Sequence, residues 1–361
     1  MDPAIRQDHR IVSFVTWKDT EDNCAMGTSL LESTLRRTTE TNATAIGHAG
    51  EILQGAFRRA DGIHRFLCSL PAPTFVSRAA VVPTPGEPLS LKPVWAWKAH
   101  RAAQLLVKFE LPQAPECQIR LASNIPVAKG CGSSTADVVA TLRALCSYLH
   151  LPLDETQLAR LAVQAEGASD GIALSFPAVF RHREGQIEEV LPGGFPPMRV
   201  MVVDAQPEST VPTLTLVRPR YSNRELDAFE DLRQRLRMAF LNADPAAIGQ
   251  IASASARLNQ PYLPKPHLEE IVALVERNGG YGVAAAHSGT VLALLFPLSE
   301  AGGHGAHIRE QLDGFGMPIL AGFTLARPSQ PEIWYTSDLG APQGASRENG
   351  ANPLRARRCN R

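Results

Sequence analysis

The sequence of 361 residues predicts an α+β fold, on three observations. Strand and helix periodicities both occur along the chain, but without the regular alternation that builds a parallel α/β sheet. A strand pattern, a glycine-rich loop and a long helical pattern follow one another between Cys117 and Leu149. Near residue 200 the chain changes character, from short apolar stretches broken by turn residues to longer amphipathic helices.

The elements run as follows. Residues 1 to about 42 carry mixed charge and Thr-rich stretches without a sustained period, which predicts a poorly ordered leader. Cys117-Gln-Ile-Arg-Leu-Ala alternates apolar and polar residues, the pattern of a half-buried strand. From Ser133 onward, Val138, Leu142, Leu145, Cys146 and Leu149 fall at helical spacing. A second helix is predicted over Asp154–Glu166, with Leu158, Leu161, Ala162 and Ala165 on its apolar side. Met198–Val203 reads as a strand, and residues 223–242 as an amphipathic helix carrying Leu226, Phe229, Leu232 and Leu236. Helices over 244–258 and 266–278 precede Gly279-Gly280 and an apolar stretch to Phe296, interrupted only at 286–290. Residues 337–361 have almost no apolar anchors and are predicted to be a disordered tail.

Lys plus Arg and Asp plus Glu each number 36, so the formal net charge is zero. That balance argues against nucleic-acid and membrane-surface partners, whose binders carry a positive excess. The six cysteines are scattered without C-x-x-C spacing, which predicts reduced thiols in a cytoplasmic protein. Ile11–Val15 is too short for a signal peptide core, and Val291–Phe296 is far too short to span a membrane. The oligomeric state stays open, with a homodimer among the options. The four Trp show no cage-like spacing and read as packing residues.

The most informative segment is Asn124-Ile-Pro-Val-Ala-Lys-Gly-Cys-Gly-Ser-Ser-Thr-Ala-Asp137. Gly130 and Gly132 permit positive φ and close backbone approach to a ligand. A helix starting at Ser133 or Ser134 aims its unpaired N–H groups and positive dipole end at that loop. Lys129, Gly130, Cys131, Gly132, Ser133, Ser134 and Thr135 are therefore the candidate binders of the β- and γ-phosphates of a nucleotide, with the Lys129 ammonium neutralising charge. Ser134 could reach a Mg²⁺ ion through its hydroxyl. The plainer alternative is a tight turn in which Ser133 or Ser134 is an ordinary N-cap. No Gly-Lys-Ser/Thr triplet closes the loop, so it is not a Walker A loop. Asp137 reads as a cap or packing residue, since it would repel phosphate if it faced inward.

Pro126-x-x-x-Gly130-x-Gly132-Ser133-Ser134-x-Ala136 resembles the second motif of the GHMP kinases. Gly47-His-Ala-Gly50-Glu51-Ile-Leu-Gln54-Gly55 is similar to the first motif of the L-threonine kinases of cobalamin assembly, and Ala286-His287-Ser288-Gly289-Thr290 to their third. The resemblance covers roughly residues 42 to 300. It implies an N-terminal α+β ATP-binding domain over 43–197 and a C-terminal ferredoxin-like domain over 198–336, with the active site between them. It also implies that ATP and Mg²⁺ are cofactors, with Ser134 and Glu166 holding the metal. Glu51 and Gln54 would lie near the acceptor, and His287, Ser288 and Thr290 would close the site. The implied reaction is phosphorylation of the side-chain hydroxyl of L-threonine or another small hydroxy-amino acid such as homoserine. A nucleotide-binding module without catalysis is the rival reading.

In Ala165-Glu166-Gly-Ala-Ser169-Asp170-Gly171 the acid pair stands one residue further apart than the threonine-kinase pattern. If the helix continues, Glu166 and Asp170 lie one turn apart and face one site, Glu166 on Mg²⁺ and Asp170 on the acceptor hydroxyl. An exposed helix end followed by an Asp-Gly turn would give the same letters. Glu51 is an unusual carboxylate among apolar neighbours, suited either to a substrate ammonium or to a salt bridge inside the fold. Asn259 and Gln260 read by default as a turn, with a place at the acceptor as the alternative.

Overall fold

The computed structural model describes residues 40–209, 219–298, 304–325 and 333–336. The expected leader up to residue 39 and the expected tail from residue 337 lie outside these, as does Trp17. Thr41 and Asn42, counted above with the leader, instead open the first strand.

Where the sequence reading saw short apolar stretches, two long strands stand. β1 (Thr41–Arg59, 19 residues) and β2 (Gly62–Pro83, 22 residues) form one antiparallel hairpin. Their period-2 signal is obscured because β1 changes register at Ile46/Gly47, His48/Glu51 and Glu51/Leu53. Each irregularity shifts the alternation and re-aims a side chain. From Ala49 to Phe57 β1 is buried throughout. The polar side chains His48, Glu51 and Gln54 are thus carried into the interior.

The rest of the first half packs on this hairpin. β3 (Ser90–Lys92) pairs in parallel with β4 (Cys117–Ser123), which pairs with β2 from Ser77↔Ser123 to Pro83↔Cys117. α1 (Trp97–Glu110), which no periodicity announced, packs with α2 (Ser133–Leu149) and α3 (Glu155–Glu166). A capping box fixes the start of α3, with the Asp154 carboxylate accepting from the Gln157 amide. β5 (Ala178–Arg181) and β6 (Gln186–Val190) form a hairpin that touches β2 at Leu67↔Phe180.

The second half has β7 (Met198–Asp204), then α4 (Asn223–Leu241), α5 (Pro245–Asn259) and α6 (Leu268–Arg277). The hairpin β8 (Gly282–Ala285) and β9 (Val291–Phe296), α7 (His304–Gly314) and β10 (Ile319–Leu325) follow. The strand order is β10-β7-β9-β8, with antiparallel neighbours throughout. Counted from β7 this is 4-1-3-2 with helices in both crossovers, the ferredoxin-like arrangement expected above. β11 (Ile333–Thr336) extends the edge beyond β10. The two halves share one sheet, because Glu51 on β1 pairs with Ala285 on β8.

One core cluster fills the first half and reaches α4 and α5, where Phe57 stacks on Phe66 at 4.5 Å and Phe229 meets Phe66 edge-on at 6.4 Å. Each such ring contributes about 1.5–3 kcal/mol on burial. A second cluster, including Val203, Ile271, Val275 and Leu292, lies between β7–β9 and α6. Two tryptophans read as packing residues are not packed: Trp95 is 63% and Trp97 53% exposed, at the start of α1.

Candidate active site

The loop between β4 and α2 forms one wall of a cavity of about 250 Å³. Gly130 (φ +84°) and Gly132 (φ +71°) both take the left-handed conformation. Gly132 is the N-cap of α2, and no side chain caps that terminus. The N–H groups of the first turn are therefore left for a ligand, and the ordinary serine cap weighed above does not form. Ser134 Oγ instead donates to Glu166 Oε1 at 2.6 Å. Gly130 to Thr135 all line the cavity. Asp137 turns away, accepting from the buried Ser77 hydroxyl.

A second loop closes the cavity from the turn between β8 and β9. The two loops meet backbone to backbone: a Cβ on Gly130 would stand 2.1 Å from the Ser288 carbonyl oxygen, and one on Gly289 (φ +117°) 2.3 Å from the Gly130 nitrogen. The amides of Thr290 and Val291 donate to the Lys129 carbonyl at 2.9 and 3.2 Å. Gly130→Ala is therefore expected to push the loops apart, destabilising the fold by about 1–3 kcal/mol. Denaturant melts check this; a variant with unchanged stability would mean that the loops do not need their contact.

Lys129 leaves the phosphate side. Its ammonium lies 2.8 Å from Asp204 Oδ2 and donates to the carbonyls of Pro207 (2.6 Å) and Ser209 (2.9 Å). It ties the loop to the end of β7 and is not among the cavity's lining residues. The lysine on the cavity side is Lys98, from α1, whose ammonium is 3.4 Å from Glu166 Oε1. No sequence signal singled it out, because α1 itself was not anticipated.

The two acids are brought together without a continuous helix. α3 ends at Glu166 because Gly167 turns left-handed, and Asp170 comes from the following loop, at the start of a short 3₁₀ turn. Thr135 Oγ1 stands 2.9 Å from Glu166 Oε2 and 3.4 Å from Asp170 Oδ2, so one hydroxyl joins both carboxylates. Burial raises the Glu166 pKa above the usual carboxylate range, against the pull of Lys98, Ser134 and Thr135.

His48 is the residue that sequence reasoning passed over, although it sits inside the quoted first motif. Its Nε2 is 3.1 Å from Asp170 Oδ2 and its Nδ1 3.4 Å from Glu51 Oε1. Burial alone would depress the ring's pKa, but the two carboxylates outweigh it and raise it to about 9. The ring is therefore an imidazolium at neutral pH. For Asp170, burial is outweighed by the His48 charge and hydrogen bond, which hold its carboxyl below the usual range. Glu51, 1% exposed, is sealed behind His48, and burial lifts its pKa. The three groups are close enough to share one ion among the described residues, but the imidazolium already supplies the positive charge.

The remaining acceptor-side candidates divide. His287 and Ser288 line the cavity. Gln54 acts behind them: its Nε2 donates to the Ala285 carbonyl at 3.1 Å, and its Oε1 accepts from His287 Nδ1 at 2.9 Å. Thr290 is fully buried in the turn. Asn259, the last residue of α5, donates to the Gln54 carbonyl at 2.9 Å. His182 and Arg183, also unanticipated, line the cavity, and the His182 ring lies 5.3 Å from His287. Burial drives the pKa of His182 well down and that of His287 to about 4, so both are neutral near pH 7.

Comparison with known proteins matches this geometry to a family. The profile of the GHMP kinases N-terminal domain matches residues 96–182, and that of the GHMP kinases C-terminal region matches residues 236–312. An L-threonine kinase of Citrobacter freundii is 34% identical over 197 residues, covering 53% of this chain and 67% of the relative. This chain belongs to the GHMP kinases. With kinases as its named relatives, it is a phosphotransferase with an alcohol group as acceptor. An L-threonine kinase of Salmonella typhimurium is 32% identical over 183 residues, covering 50% of this chain and 60% of the relative. The chain thus spans about two thirds or less of the length of these two relatives. Among solved structures, the homoserine kinase of Cytophaga hutchinsonii superposes with a TM-score of 0.61 at 13% identity, covering 82% of this GHMP kinase and 99% of that chain. A mevalonate kinase of Staphylococcus aureus gives 0.54 at 16% identity, over 78% and 98%. These two likenesses speak for the fold. No helix among the described residues is long and apolar enough to cross a membrane.

Proposed function

We propose that this GHMP kinase transfers the γ-phosphoryl group of Mg²⁺–ATP to the side-chain hydroxyl of L-threonine, giving O-phospho-L-threonine for the aminopropanol arm of cobalamin assembly in the cytoplasm. The observation that carries the reading is the convergence of an uncapped helix N-terminus, the Ser134–Glu166 oxygen pair and the ionised Asp170 on one cavity. Similarity to two L-threonine kinases at 32–34% identity supports the choice of acceptor. The site lies between an N-terminal domain over 43–197 and a C-terminal domain over 198–336.

Phosphoryl transfer asks for in-line positioning and neutralised charge more than for covalent chemistry. The backbone from Gly130 to Ser134 takes the phosphates, and Lys98 adds a cation on that side. The exposed Trp95 and Trp97 offer apolar faces for the base beside Lys98, whose ammonium is 5.9 Å from the Trp97 ring centre. The oxygen donors suit a hard divalent ion: Ser134 and Glu166 would hold Mg²⁺, which would neutralise the charge on the phosphates. The Lys98 ammonium now beside Glu166 marks the same place as one that favours a cation. Asp170, held ionised by His48, accepts a hydrogen bond from the acceptor hydroxyl, aligns its lone pair and takes up its proton as transfer completes. His287, held by Gln54, and Ser288 close over the acceptor, while Lys129 locks the loop to β7. Charge and composition speak for a small-molecule partner, without nucleic acid or membrane.

A homoserine kinase of Enterococcus faecalis, 29% identical over 202 residues, makes L-homoserine the second acceptor to test. Mass detection of an ATP-dependent phosphorylated product from L-threonine, L-homoserine and L-serine decides. Phospho-threonine as the main product supports the reading; phospho-homoserine would replace the acceptor; ATP binding without any product would leave a nucleotide-binding module. Glu166→Gln is expected to weaken apparent Mg²⁺ affinity at least about tenfold, read from the metal dependence of the rate. An unchanged metal dependence removes Glu166 from the metal site.

A further inference from the structure

The His287 ring lies on the cavity wall with its proton fixed in place. The Ala285 carbonyl can only accept a hydrogen bond, so Gln54 presents its amide nitrogen there, at 3.1 Å, and its oxygen to His287 Nδ1, at 2.9 Å. That oxygen also only accepts. The proton of the neutral ring therefore sits on Nδ1, and Nε2 carries a lone pair. Gln54 is not among the cavity's lining residues whereas His287 is, so the ring edge away from Gln54, with Nε2, is the edge on the cavity side.

His182 adds a second ring 5.3 Å away. It follows the last residue of β5 and is 3% exposed, and its carbonyl accepts from the Ser169 amide at 2.9 Å, which ties it to the loop carrying Asp170. Neither of its ring nitrogens has a hydrogen-bond partner among the described residues, and nor has the buried Ser169 hydroxyl. His182, Ser169 and His287 line the cavity together with Asp170. Buried polar groups without partners are a penalty, and a fold keeps several on one cavity wall when a ligand completes their bonds. Burial keeps both rings neutral near pH 7, so each offers one lone pair and the hydroxyl offers two. An ammonium brings three N–H donors and no acceptor; a carboxylate brings no donor and would face the His287 lone pair. The negative charge that favours a cation here is that of Asp170, whereas Glu51, considered above for a substrate ammonium, is sealed behind His48. Arg183, another lining residue, suits an anionic group of the same molecule.

We propose that His287, His182 and Ser169 bind the ammonium of the acceptor through their lone pairs and make the enzyme selective for hydroxy-amino acids over hydroxy acids without an amine. This rests on the kinase reading above. With the acceptor hydroxyl at Asp170, an ammonium a few bonds away on the same small molecule meets the three unfilled acceptors. None of the three belongs to the start of α2 or to the Ser134–Glu166 pair, so they do not contribute to ATP affinity.

The full chain is assayed with L-threonine and with (R)-3-hydroxybutanoate, which keeps the hydroxyl, the methyl and the carboxylate but lacks the ammonium. Wild-type enzyme should prefer threonine by about 100-fold or more in kcat/KM. His287→Leu and His182→Leu should each raise the KM for threonine by about tenfold or more. Both should leave the KM for ATP and the kcat/KM for hydroxybutanoate nearly unchanged. His287→Gln, whose amide oxygen can stand in for Nε2, should recover much of the lost affinity. ATP titration reports that each variant is folded; should one Leu variant fail it, the other decides. A wild type without the preference, a preference that survives in the Leu variants, or equal losses on both acceptors overturns the assignment while leaving the kinase reading intact. If L-homoserine proves to be the acceptor, the same comparison is made with 4-hydroxybutanoate. Wild-type enzyme that binds ATP yet phosphorylates no hydroxy compound overturns both readings.

Discussion

Asp170→Asn lowers kcat by about 10³-fold while ATP affinity stays within about twofold. The amide keeps the size of the side chain but loses the negative charge that, in the proposed reaction, aligns the acceptor hydroxyl and takes its proton. It also breaks the 3.1 Å pairing with the His48 imidazolium. On the side proposed for the phosphates Asp170 meets the Thr135 hydroxyl at 3.4 Å, whereas the contact of Ser134 with Glu166 and the uncapped start of α2 do not involve it. Single-turnover kinetics and ATP titration make the measurement. A kcat within a few fold of wild type would remove Asp170 from the transfer step.

The second large effect is on stability and its pH dependence. His48→Gln leaves the buried Glu51 and the neighbouring Asp170 without the cation between them, at a cost of about 3–5 kcal/mol near neutral pH. The sign follows from the shifts. The His48 pKa is raised from 6.5 to about 9 in the folded protein, so its contribution is complete below pH 6.5 and fades as pH rises through 9. Glu51, also raised, likewise favours the fold at lower pH. The gap between variant and wild type should therefore narrow on both sides: above pH 9, where wild-type His48 is neutral, and in mild acid, where the carboxylates of the variant protonate. In the wild type kcat should fall on an alkaline limb near pH 9, as Asp170 loses its partner. His48→Lys, which keeps a cation, should move that limb to higher pH. Denaturant melts across pH and the kcat profiles of the three proteins test this. Equal stability of His48→Gln and wild type at every pH would mean that the imidazolium holds nothing together.

The glycine loop before α2 was legible because its conformational requirements are local. Two glycines, a helix start and small hydroxyl residues carry their requirements within ten positions of sequence, and Gly130, Gly132 and Ser134 stand where those requirements place them. Strand β4 and the helices α2 to α6 were legible for the same reason, since their periodicity is written in consecutive residues. β1 was not, because its register shifts break the alternation at the positions that bring His48, Glu51 and Gln54 inward.

The sequence by itself determined the fold class, the glycine loop with the helix that follows it, and the presence of two acids near residue 166. Only the tertiary structure decided which charges meet. It turned Lys129 toward Asp204, set Lys98 beside Glu166, and placed His48 between two carboxylates, one of them 122 positions away. The reason is physical: backbone preferences act between near neighbours in the chain, whereas the electrostatic role of a side chain depends on what long-range packing brings within a few ångströms of it and on how much water that packing removes.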